Sequence, residues 1–189
     1  GKDSTVLLDI VRGVDPTVPA VFSDTGLEFP EIKAFVRTFD NVEIVRPRMT
    51  YKQVVEKYGY AVVSKRTAGA IGKVRRNGPD SKSGRYFLTG FTSTGKFSKM
   101  AIIPKRWLPL LEAPFRVSDR CCDVLKKAPS KAYARRTGRR AITGEMVADG
   151  GVRAAQWTKH GCNAWDTTYP KSMPLAFWTE ADIWAYIRS

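Results

Sequence analysis

The residues most able to do chemistry stand together at positions 1–4: Gly1, Lys2, Asp3 and Ser4. A glycine lets the main chain come close to an anion, and a lysine brings a mobile positive charge. A serine opening a helix adds amides that favour a phosphate or sulfate. Alone the tetrapeptide is a weak signal, because a solvated helix start has the same composition. Its weight comes from Ser23-Asp24-Thr25-Gly26-Leu27-Glu28, which follows a short apolar run and so should stand at the carboxyl end of a strand. Open α/β sheets bind their ligands along that edge. Asp24 there can accept from ribose hydroxyls or from an adenine amine, although a plain turn capping a helix is locally just as good a reading. A phosphate loop and a strand-end Asp-Thr-Gly are the two halves of a nucleotide site.

The elements that would position these residues can be read from periodicity. Residues 3–11 carry Val6, Leu7, Ile10 and Val11 at helical spacing, with Asp3 or Ser4 as a cap. Residues 18–22 form an apolar strand. Residues 29–39 form a helix with Pro30 in its first turn and Ile32, Phe35, Val36 and Phe39 on one face. A second strand covers 42–45, and a helix from Thr50 ends at Gly59. This alternation predicts an α/β fold with a mostly parallel sheet covered by helices. Residues 73–99 are rich in Gly, Ser, Lys and Arg and read as an exposed basic excursion, a solvated loop sooner than a dedicated binding arm. Further helices are expected over 118–127, 129–137 and 151–157, with a short strand over 141–144. Thr179 and Asp182 form a capping box ahead of the apolar stripe ending at Ile187.

Composition sets the outer limits. At 189 residues the chain suits one domain, 1–189, with 43% hydrophobic and 26% charged residues. No apolar run of about 18 residues exists to cross a membrane, and no signal-peptide layout opens the chain, so the cytoplasm is the expected location. Thirty-two Lys and Arg against 18 Asp and Glu give a net charge of +14. Such a surface attracts polyanions, whether nucleic acid or multiply phosphorylated small molecules. Three cysteines, two of them adjacent, do not make a disulfide framework.

Taken in order, these motifs resemble the phosphoadenosine phosphosulfate (PAPS) reductase family within the PP-loop ATP pyrophosphatase superfamily. That family's loop reads Ser-Gly-Gly-Lys-Asp-Ser, and this chain enters it at the third residue. The likeness runs on through residues 22–31, Ser64-Lys65, Cys121-Cys122-Asp123-Val124-Leu125-Lys126, Thr143-Gly144-Glu145 with Arg153, Pro174-Leu175, and Trp178 to Trp184. With Gly161-Cys162-Asn163-Ala164-Trp165-Asp166 before the closing helix, the chain is similar to PAPS-reductase-like proteins of bacteria and their phages, cut at both ends. The resemblance implies a three-layer, twisted, mostly parallel sheet with helices on both faces, of the Rossmann-like adenine nucleotide alpha hydrolase type. It implies an oxidoreductase of sulfur metabolism whose ligand is PAPS, adenosine phosphosulfate or ATP, with a thioredoxin-like donor.

The same resemblance implies residue roles. Gly1, Lys2, Asp3 and Ser4 would hold the phosphate or sulfate end of the nucleotide. Asp24, Thr25 and Gly26 would lie along ribose and adenine. Lys65, Gly144 and Arg153 would complete the binding set, the two cations facing phosphate or sulfate oxygens. In the iron–sulfur members a Cys-Cys pair works with a later Cys-x-x-Cys, which makes Cys121, Cys122 and Cys162 candidate ligands of a [4Fe–4S] cluster in a full-length protein. Here Trp165 stands where the last cysteine would be, and three cysteines cannot supply four thiolates, so no intact cluster is expected on these residues alone. Family reductases attack the sulfate sulfur with a cysteine on a C-terminal tail that has no counterpart here, so no catalytic residue is assigned. His160, the single histidine, has no evident partner in the sequence and reads as a surface or hinge residue. Two other functions remain open: a PP-loop ATP pyrophosphatase acting in sulfur modification of DNA or tRNA, and a non-catalytic nucleotide or nucleic-acid binding module.

Overall fold

The computed structural model describes residues 1–189, the side chain of Val152 excepted. The chain gathers into two compact units, each with its own cluster of buried apolar residues. Unit 1 comprises Gly1–Phe22, Phe29–Val45 and Ser130–Ser189; unit 2 comprises Ser23–Glu28 and Arg46–Pro129.

Unit 1 is built on α1 (Lys2–Val14) and α9 (Glu180–Arg188). The apolar stripe read from the sequence is the packed one. Val6 and Leu7 are buried with Met146, Leu175 and Ile183, and Ile10, Val11, Trp178 and Tyr186 pack around them. The Tyr186 hydroxyl donates to Asp9 Oδ2 at 2.8 Å, tying α9 to α1 through a polar contact as well. The Thr179–Asp182 capping box forms as expected, with the Asp182 amide donating to Thr179 Oγ1 at 3.3 Å. Between these helices run β1 (Ala20–Ser23, its last residue in unit 2), α2 (Pro30–Val36) and β2 (Val42–Val45). α2 begins at Pro30, as the sequence implies, but is shorter than its pattern and buries none of its residues.

Two small sheets carry the strands: β1 beside β2, and β3 (Ala141–Ile142) beside β5 (Lys171–Ser172) beside β4 (Asn163–Ala164). β3 pairs with β5 in parallel and β4 pairs with β5 antiparallel. The α/β class is thus the one expected, with shorter strands. Pro170 and Pro174 flank β5, and a proline cannot donate to a ladder, so the strand cannot lengthen in either direction. α8 (Gly151–His160) stands between β3 and β4 and runs three residues beyond its expected end.

Unit 2 is mainly helical. α3 (Tyr51–Tyr58) starts on a Thr50–Gln53 capping box and stops at Gly59, where φ is +103°. α4 (Lys65–Asn77) supplies most of the core: Ala68, Ala70, Ile71 and Val74 are buried with Ile103 and Val117. Residues 73–99 are not the loop excursion that their composition suggests. α4 continues to Asn77 and α5 (Lys82–Thr89) follows, with Phe87 and Leu88 packed on the core. Ser81 turns the polar stretch into a helix start by accepting from the Gly84 amide at 2.9 Å. Only the segment beyond Gly90 keeps a turn character, closed by the Phe91–Phe97 bridge. Residues 120–137 form one helical run with a π turn at Asp123–Lys127 between α6 (Arg120–Cys122) and α7 (Ala128–Thr137). No helix among the described residues is long and apolar enough to cross a membrane.

Candidate functional site

The residues that the sequence singles out are distributed over both units. In unit 1 the centre is the start of α1. Gly1 is its N-cap and offers no side-chain cap, so the amides of the first turn are left to the main chain and to whatever anion approaches. Lys2 Nζ lies 2.7 Å from Asp3 Oδ1 and 3.6 Å from Glu180 Oε1. The hydrogen bond to Asp3 raises the lysine above its ordinary pKa, against a smaller opposing effect of burial, and the Asp3 and Glu180 charges add to the rise. Lys2 is therefore held as a cation at the mouth of the helix.

Gly144 closes on the same turn. A β-carbon at position 144 would lie 3.1 Å from the Asp3 carbonyl oxygen and 3.2 Å from its carbon. The segment that carries Gly144 is fixed on both sides: the Thr143 amide donates to Ser172 O at 2.9 Å, Lys171 Nζ meets Glu145 Oε2 at 2.5 Å, and Val147 N donates to Ala176 O. Arg153 lies in the first turn of α8 and forms an ion pair with Asp149, which also accepts from the Met146 amide. Its guanidinium is thus engaged within the protein.

In unit 2 the loop Ser23–Glu28 is stiffened from within. Thr25 is buried; its amide donates to Glu28 Oε2 at 2.9 Å and its hydroxyl to Oε1 at 2.7 Å. Burial tends to raise the Glu28 carboxyl, but the bonds from the Thr25 hydroxyl and from main-chain amides outweigh it, and the group sits below its usual range. Gly26 takes a φ of +84°, and its amide donates to Asp24 Oδ1 at 3.1 Å, while Arg46 Nε meets Asp24 Oδ2 at 3.2 Å. The turn and the nucleotide reading of Asp24 are therefore compatible: the carboxylate is aimed by its own loop. Lys65 is the first residue of α4, directly after the Ser64 cap, and its charge lies close enough to Asp123 to help lower that carboxyl. The largest cause of that lowering is the Lys127 hydrogen bond, at 2.9 Å.

Cys121 and Cys122 precede Asp123 on the same helical run, in unit 2; Cys162 belongs to unit 1, and all three are half-buried free thiols. Burial, then the neighbouring Cys122 thiol, pushes the Cys121 pKa up. Three thiols fall one short of a four-thiolate set, and among the described residues no three His, Cys, Asp or Glu side chains gather so as to hold a metal ion.

Sequence reading missed two arrangements. His160 does have a partner: its Nδ1 lies 3.0 Å from Asp166 Oδ1. The spacing of six residues crosses the turn after α8, which periodicity does not register. The Thr25–Glu28 clamp was also overlooked, although a threonine and a glutamate three apart are a recognisable turn signal.

Residues 1–76 match the family described as the phosphoadenosine phosphosulfate reductase domain, a stretch that holds the α1 start, the Asp24–Gly26 loop and Lys65. No curated protein matches. A crystal structure of phosphoadenylyl-sulfate (PAPS) reductase from Candida auris, a phosphate complex, shares the fold with a TM-score of 0.52 at 16% identity, over 100% of this chain and 68% of that one. Residues 1–76 are thus similar to that reductase domain, and the chain as a whole shares the fold of the Candida auris structure.

Proposed function

We propose that the chain binds an adenylylated sulfate, PAPS or adenosine phosphosulfate, and serves its reduction to sulfite. The observation that carries this reading is the start of α1. An uncapped helix N-terminus, a lysine held charged at its mouth and a glycine that admits the 143–146 segment meet there, and α1 lies within the stretch matched to the family. The helix amides and Lys2 would take the phosphate or sulfate oxygens, with the ligand replacing Asp3 and Glu180 as the partners of the lysine. Asp24, oriented by Gly26 and Arg46, would accept from ribose or adenine. Reduction of the sulfate sulfur takes two electrons, which a dithiol donor of the thioredoxin kind would supply by becoming a disulfide. The chain's own share is then to bind and orient the nucleotide, and it is given no catalytic group.

The test is a ranking of ligands by calorimetry on the purified chain. PAPS or adenosine phosphosulfate should bind at least tenfold more tightly than ATP. The reverse order would overturn the reading in favour of an ATP pyrophosphatase. Tight binding without turnover, even with a thioredoxin-like donor, would leave a nucleotide-binding module.

A further inference from the structure

The net charge of +14 is not spread over the chain. Unit 2 holds 19 of the 32 Lys and Arg but only 7 of the 18 Asp and Glu, a net +12, which leaves +2 for unit 1. A nucleotide pocket needs two or three cations, so an excess of this size points to a longer polyanion.

Within unit 2 the charge lines a groove of about 480 Å³. Lys57, Arg75, Arg76, Arg116 and Arg120 border it, together with Tyr58, and no carboxylate among the described residues lines it. Several of these cations are set in place. Arg75 donates to the carbonyls of Phe115 at 2.7 Å and Ala113 at 3.0 Å, Arg116 donates to Lys57 O at 3.0 Å, and Arg120 stacks over Tyr58 at 5.4 Å. Gly72 lets α4 lie against the segment that forms the groove wall: a β-carbon there would come within 2.7 Å of Val117 O.

Aromatic rings stand at its rim. Tyr60 and Phe115 are 50% and 39% exposed, with their ring centroids 5.6 Å apart and nearly perpendicular. They are fixed to the groove through the main chain, since the Tyr60 amide donates to Arg116 O at 2.8 Å and Arg75 holds Phe115 O. An acid-free basic groove with rigid, exposed rings at its edge combines the two parts of a single-strand nucleic-acid surface, cations for the backbone and π-faces for unpaired bases. A duplex would use the cations and leave the rings without bases to stack on.

The geometry points to the groove between α3, α4 and residues 115–120 as a binding site for single-stranded nucleic acid, lined by none of the residues assigned to the nucleotide. The test is fluorescence anisotropy of a labelled 20-mer of thymidylate and of a duplex of equal length, with the purified chain at several salt concentrations. The single strand should bind more tightly than the duplex. Arg76→Ala combined with Arg116→Ala should lower the slope of log affinity against log salt by about 1.4, about 0.7 for each phosphate left without its cation. Phe115→Ala should weaken the single strand about five- to a hundredfold and leave the duplex unchanged. Saturating PAPS should not displace the strand. Equal or tighter duplex binding, no effect of Phe115→Ala in a chain whose circular dichroism is unchanged, displacement by PAPS or pyrophosphate, or no binding at 50 mM salt would each overturn the proposal. None of these readouts depends on whether PAPS outranks ATP.

Discussion

Gly144 faces the main chain of Asp3, at a separation that leaves a hypothetical β-carbon 3.1 Å from the Asp3 carbonyl oxygen. Both partners are backbone, so neither can rotate away. Gly144→Ala should push the 143–146 segment off the start of α1 and cost about 1–3 kcal/mol. The sulfonucleotide affinity should fall with the melting temperature. A variant with unchanged melting and unchanged affinity would show that the contact is slack.

Lys2 stands between Asp3 and Glu180, so its charge is available to a ligand only by exchange. Lys2→Ala should weaken PAPS about tenfold or more, since a charge-assisted bond is removed. Glu180→Gln should strengthen binding modestly by taking away a competitor. Calorimetry on the two variants gives opposite signs if Lys2 holds the anion, and the same sign if it does not.

The Thr25–Glu28 clamp couples the loop to acid. Because the folded carboxyl titrates below its ordinary value of about 4.5, the ionised form is the one the fold favours. Its contribution is complete above that ordinary value and is lost as pH falls through the lower folded one. Thr25→Val should destabilise unit 2 by about 1–3 kcal/mol at pH 7, because Glu28 loses its buried donor, and the deficit should shrink on acidification. Thermal melts between pH 2 and 7 would reveal a deficit that stayed constant, which would contradict the clamp.

Cys121 should be a sluggish nucleophile. Its pKa is raised above the ordinary 9.0 by burial and by the adjacent thiol, so the thiolate is scarce at pH 8. Iodoacetamide labelling followed by mass spectrometry should find it alkylated more slowly in the folded chain than in urea. Faster labelling in the folded state would mean that the thiol is activated.

Much of the scaffold was legible because it rests on local rules. The Val6-Leu7-Ile10-Val11 stripe, the Thr50 and Thr179 caps and the Gly59 stop each depend on residues within one or two turns, and all are present. α4 was not read from the sequence, and its two interior glycines, Gly69 and Gly72, weaken the helical signal. Gly72 meets Val117 O, and Gly69 faces the Asp119 carboxylate at 3.0 Å from a would-be β-carbon, so both serve contacts with a segment more than 40 residues away. The two-residue strands β3, β4 and β5 are too short to carry a period. The contacts around the candidate residues divide the same way: the Gly1–Ser4 and Asp24–Gly26 motifs are local in sequence, whereas Glu180 beside Lys2 and Asp166 beside His160 arise only once the chain has folded back.

Unit 1 takes its pieces from three stretches of the chain, and the bond from Tyr186 to Asp9 closes a span of 177 residues. During synthesis, α1 emerges before the rest of unit 1 and waits with Val6 and Leu7 uncovered until α9 has left the ribosome. The core of unit 2, from Ala68 to Val117, lies within one continuous stretch and can form well before then. Nascent chains halted before residue 170 should already protect α4 from protease while α1 is still cut, and α1 should need a chaperone in the interval. The first turn of α1 would then gain its Gly144 and Glu180 neighbours only after most of the chain has been made.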